Sequence, residues 1–207
     1  MEVDLHQLSK LYLMVLTDTP PDQVNAIYLF AQPDGVLKEH QIAHAVAFQH
    51  RVSKIALCGG TGQGYKGFAE WSEALQERGI PGEKIVAIPY LETLNTYTES
   101  IKLVEYAHLQ GWKRIIISSL AHHETRVFLT VLKQLQVQEV AMELYLSHSG
   151  AIPWWKEVTF YQGEVKMIGH EFIDTEIERL QRYQLIDSLS SVEEGLSYLQ
   201  QRDTNNQ

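Results

Sequence analysis

The stretch "IIISSLAHHETRVF" (115–128) decides how this chain is read. Three isoleucines run into two serines, and two histidines and an arginine follow within eight residues. A run that is apolar on both faces suits a strand covered by helices on both sides. The residues after it, "HETRVFLTVLKQLQ" (123–136), carry helical spacing instead. A dry strand, a helix and a knot of titratable groups at their joint suggest an open α/β sheet. Such a sheet binds its ligands beyond the carboxyl ends of the strands.

Outward from this unit the same alternation repeats. "AIYLFA" (26–31), "KIALC" (54–58), "KIVAIP" (84–89) and "VAMELYL" (140–146) read as strands, with "RIIIS" (114–118) the fourth in chain order. "LKEHQIAHAVAFQHR" (37–51), "GFAEWSEALQERG" (67–79) and "TYTESIKLVEYAHLQG" (96–111) read as helices, the last two closing on Gly79 and Gly111. The pattern predicts a doubly wound, Rossmann-like, mainly parallel five-stranded sheet with right-handed crossovers. The core spans 24–150, preceded by a leading helix (5–15) within residues 1–23. A carboxyl segment (151–200), helical from 170, packs on the core, and the polar tail 201–207 frays.

Composition narrows the partners. The net charge of −9, from 17 basic against 26 acidic side chains, argues against a nucleic-acid footprint. The one cysteine, Cys58, excludes an internal disulfide and fits a reducing compartment, where it is a small buried hydrophobe. The acidic amino terminus "MEVDLHQLSK" is unlike a signal peptide, and the apolar run "LYLMVL" is too short for a membrane span. The expectation is a cytoplasmic protein that binds neither membrane nor nucleic acid.

The strand ends gather the chemistry. In "CGGTGQG", Gly59, Gly60 and Thr61 bring backbone amides within reach of an anion, although the spacing is neither a dinucleotide fingerprint nor a P-loop. A plain flexible turn is the alternative. In "NTYTE", Thr96 and Glu99 have the spacing of a capping box. The functional alternative makes Asn95 an orienting amide and Glu99 a carboxylate facing the crevice. In "HHETR", His123 and His122 precede Arg126 by three and four residues, so one of them shares its helix face. Cations at a helix start call for an anion, either Glu99 or a bound phosphate-, carboxylate- or sulfonate-like group. The bland reading pairs Arg126 with Glu124 or Glu99 on a solvated helix start. His40 and His44 lie one turn apart without a third ligand, so no metal site is expected. Trp154 and Trp155 pack the carboxyl segment or stack on a base.

The order "NAIYLFA", "LCGG", "ERGIPGEKI", "NTYTES" and a strand ending in S-x-x-x-H-x-x-R resembles the YdcF-like family, with its SanA-like and ElyC-like members, over residues 24 to 147. Its most specific pieces are Asn95, Thr96 and Glu99, and the pair His123 and Arg126. "GYKGFAEW" and "EIERLQRYQ" resemble a soluble subgroup. The resemblance implies binding of a nucleotide such as S-adenosylmethionine; the residues themselves suggest a small anionic, nucleotide-like partner, with hydrolysis or group transfer as the reaction. In such an enzyme His123 would act as acid or base with Glu99 orienting it, and Arg126 would hold the negative group. Gly59, Gly60, Thr61, Asn95, Thr96, Ser119 and His122 complete the expected binding set. A protein that binds or senses such a ligand without converting it is the alternative.

Overall fold

The computed structural model describes residues 4–150, 154–155, 157–160 and 165–206. Their order is α1 (Leu5–Leu16), β1 (Val24–Leu29), α2 (Val36–Phe48), β2 (Val52–Cys58), α3 (Phe68–Glu77), a 3-10 turn (Gly82–Lys84) and β3 (Ile85–Ile88). Then come α4 (Thr96–Leu109), β4 (Arg114–Ser118), α5 (Glu124–Val137), β5 (Glu143–Leu146), β6 (Glu157–Phe160), β7 (Val165–Ile168), α6 (Glu171–Leu185) and α7 (Val192–Asn205).

The main sheet is wet on neither face. In β1, Ala26 and Tyr28 belong to one apolar layer, and Ile27 and Leu29 to the other. Ile115 and Ile117 of β4 likewise oppose Ile116. Helices α1, α4, α5 and α7 supply the first layer, through residues such as Leu11, Leu103, Phe128 and Leu199, whereas α2 and α3 supply the second through Ile42, Ala45, Trp71 and Leu75. Strand order is β3-β2-β1-β4-β5, all parallel, so the chain is an α/β Rossmann-like sandwich of the doubly wound kind. The winding reverses between β1 and β4. At that point the loops after the two strands diverge to opposite faces and leave a crevice.

The carboxyl segment departs from the reading of the sequence in two ways. β6 and β7 form a separate antiparallel hairpin ahead of α6, a feature not expected from the sequence. The tail expected to fray is helical through Asn205. Its Arg202 is buried, donating from Nη2 and Nη1 to Asp18 at 2.7 and 2.8 Å and from Nη1 to the Leu144 carbonyl at 2.6 Å. Asp18 in turn accepts the Leu146 amide at 2.8 Å, and the Tyr198 hydroxyl accepts the Leu144 amide at 2.7 Å. These groups satisfy the outer edge of β5, which would otherwise offer unpaired backbone to another chain. Trp154 packs against the cluster of Leu37, Leu120 and Phe172, while Trp155 is exposed beside the His170 ring. Residues 151–153, which begin "AIPWW", and Gln207 lie outside the described residues. Among the described residues no helix is long and apolar enough to cross a membrane.

Candidate functional site

A cavity of about 610 Å³ opens at the reversal point between β1 and β4. The loop after β1 supplies Phe30 to Pro33, and the start of α4 supplies Asn95, Thr96, Tyr97 and Glu99. The start of α5 supplies Leu120, His122, His123 and Arg126, and α6 closes the side with Glu176, Arg179 and Tyr183.

Glu99 lies at the base. Its Oε2 accepts the Tyr28 hydroxyl at 2.8 Å and the Ala31 amide at 3.1 Å. Burial pushes the carboxyl up to about 7, and those two donors limit the rise. The N-cap of α4 is Asn95, whose Oδ1 accepts the Thr98 amide at 3.0 Å, while the Thr98 hydroxyl accepts the Asn95 amide at 3.1 Å. The capping box expected for Thr96 and Glu99 is therefore one residue out of place. Asn95 tolerates the extended N-cap backbone and has the better acceptor, so it takes the cap from Thr96, and Glu99 turns inward. Glu99 takes its bonds from Tyr28 and Ala31, so the expected orienting contact with His123 is replaced by Thr96, whose Oγ1 lies 3.3 Å from His123 Nε2.

Arg126 answers why cations crowd this helix start. Neither Glu99 nor Glu124 is its counter-ion. Its Nε and Nη2 donate to the two oxygens of Glu176 at 2.6 and 3.2 Å, and its Nη1 donates to Thr96 Oγ1 at 3.3 Å. Arg179 Nη1 donates to the same carboxylate at 2.8 Å. Burial would raise Glu176, but the charges of Arg126 and Arg179 outweigh it and hold the carboxyl down at about 2. Burial, helped by the Arg126 charge, keeps His123 well below its ordinary value, and burial lowers His122 to about 4. Both rings are neutral at physiological pH. Glu124, fully buried, accepts the Ser119 hydroxyl at 2.5 Å and the Ser119 amide at 2.7 Å, and burial raises it to about 7. That pair ties the end of β4 to the first turn of α5.

The structure thus brings Glu99, Asn95, Thr96, His122, His123 and Arg126 to one cavity and leaves four expected members outside it. Ser119 is buried against Glu124. The Gly59 amide is spent on the Ile88 carbonyl at 2.8 Å, and the Gly60 amide meets the Cys58 sulfur at 3.4 Å. A Cβ at Gly59 would lie 2.8 Å from that carbonyl oxygen, and one at Gly60 would lie 2.5 Å from the Tyr90 ring. Both glycines therefore serve close packing of the loop after β3. Thr61 is exposed, and its methyl group lies against Gly67. Instead the rim is reached by Gly62 and Gln63, held in a tight turn by reciprocal bonds between Gly62 and Tyr65 at 3.1 and 2.9 Å. Burial, and then Glu99, raises the Cys58 thiol to about 12, so it is no nucleophile. Among the described residues no group of three or more His, Cys, Asp or Glu is placed to hold a metal ion, and His40 and His44 gain no third ligand.

Glu176 and Arg179 were read from the sequence as part of a flanking helix. One signal was available. Phe172, Glu176 and Leu180 repeat every fourth residue and all are buried, so Glu176 is a charge set inside an apolar stripe. No protein-family model, curated protein or solved structure matches this chain.

Proposed function

We propose that the chain is a cytoplasmic small-molecule enzyme of the YdcF-like kind, acting on an anionic, nucleotide-like ligand by hydrolysis or group transfer. One observation carries the reading. Glu99 is a buried carboxyl titrating at about 7 and opens on a cavity that also holds His123, Asn95 and a guanidinium. A group poised near the working pH is suited to move a proton in either direction, and a desolvated carboxyl at a sheet reversal point is costly to keep for stability alone. In this scheme Glu99 exchanges the proton, and neutral His123 hydrogen-bonds the reacting oxygen. Asn95 fixes a hydroxyl or amide, and the arginines face the negative group. The partner is a small molecule; neither nucleic acid nor membrane enters the scheme.

The test is a thermal-shift screen of nucleotides and related metabolites, S-adenosylmethionine included, followed by product analysis of each hit. Conversion by the wild type and its loss in Glu99→Gln is the expected result. Binding with no product would make the protein a sensor, and no hit at all would overturn the assignment of the cavity.

A further inference from the structure

Charge at the cavity is not distributed as the number of basic groups suggests. Arg126, the natural anion holder by position, donates from each of its three nitrogens to Glu176 or Thr96, and its side chain is only 10% exposed. Glu176 lies between two guanidiniums, with a side chain only 2% exposed. Two guanidiniums against one ionised carboxylate leave a single positive charge. Arg179 is where it is available: it gives one nitrogen to Glu176 and its side chain remains 21% exposed at the cavity wall. The other titratable lining groups add no cation, since His122 and His123 are held neutral and Glu99 is at most negative. The chain's net charge of −9 further opposes a polyanion. The remaining wall is mixed: Phe30, Leu37, Leu94, Leu120 and Leu189 give it apolar ground, and Gln32, Asn95 and Thr130 give it polar groups. A ligand with two or more charges would leave at least one uncompensated in a partly dry site, whereas a neutral one would leave the surplus positive charge of the two guanidiniums uncompensated.

We infer that the cavity selects a molecule with one negative charge on a partly apolar body, and that Arg179 is the side chain that makes the selection. This inference rests on the cavity being the ligand site, as proposed above. It refines the anionic ligand to a phosphodiester-like, carboxylate-like or sulfonate-like monoanion and sets aside phosphate monoesters and nucleoside polyphosphates, which carry more than one charge at neutral pH.

Calorimetric titration with 1-naphthol, naphthalene-1-sulfonate and naphthalene-1,5-disulfonate varies fixed charge from none to two on one flat body. Adenosine, its 3′,5′-cyclic monophosphate and ATP do the same on a nucleoside. The singly charged member of at least one series is expected to bind about tenfold or more tighter than its neighbours, the scale of one charge-assisted contact. Arg179→Gln should erase that preference, and Arg179→Lys should keep most of it. Glu176→Gln frees both guanidiniums and should move the preference to the doubly or more highly charged members, a reversal that mere loosening of α6 would not produce. Tighter binding of the polyanions by the wild type, or an unchanged preference in Arg179→Gln, would overturn the inference while leaving the enzyme reading intact. Failure of every probe to bind would overturn both.

Discussion

At the scale of single residues, burial sets the chemistry. Glu99 and Glu124 are both raised from 4.5 to about 7, so the folded protein holds their protons over a range where the unfolded chain releases them. Their contribution to stability is full below pH 4.5 and is lost as pH climbs to about 7, on the order of 3 kcal/mol for each. His44 and His122, both lowered from 6.5 to about 4, act oppositely over much of that range. The difference between Glu99→Gln and the wild type therefore isolates Glu99. In urea titrations the variant should gain stability relative to the wild type as pH passes from about 5 to about 8, by roughly 1–3 kcal/mol. An activity profile should show an inflection near pH 7 that persists in the residual activity of His123→Ala, whereas Glu99→Gln abolishes turnover at every pH. The motif "NTYTES" pointed to these residues, but the cap lies one position earlier than its spacing suggests, because Asn95 caps more strongly than Thr96 and so leaves Glu99 to Tyr28.

Elements are held together by pairs that the sequence keeps far apart. α6 meets α5 through Arg126 and Glu176, fifty residues distant, with the Arg126 guanidinium 5.8 Å from the Tyr183 ring. Removing one member of a buried pair strands the other. Arg126→Ala should cost about 3 kcal/mol and speed amide exchange across residues 171–185, and adding Glu176→Ala should recover part of the loss. The glycine turn after β2 gives a graded prediction. An alanine methyl at position 59 meets a backbone carbonyl, which cannot swing aside, whereas one at 60 meets the half-exposed ring of Tyr90, which can. Gly59→Ala should therefore cost about 2 kcal/mol or more and Gly60→Ala less, measured by chemical denaturation. The sequence marked these glycines correctly as special but not why, because the atoms they avoid belong to the next strand's loop.

For the molecule as a whole, the clasp between α7 and the edge of β5 is the clearest case of distant control. Asp18 and Arg202, separated by 184 residues, close the sheet edge together. Truncation after Gln200 or Arg202→Ala should cost roughly 3–5 kcal/mol and lower the melting temperature by about 10 °C, read by calorimetry. What the sequence settled alone was the sheet: each strand's two-sided apolar run and each helix's period express local geometry, which needs no knowledge of partners. It also marked the mouth of the crevice, since parallel strands must deliver their following residues to the same edge. Which counter-ion meets Arg126, which amides are already spent, and whether the last helix frays were decided by the tertiary structure. Each of those depends on whether a polar group buried by packing finds a distant partner, and no local pattern in the chain specifies that distance.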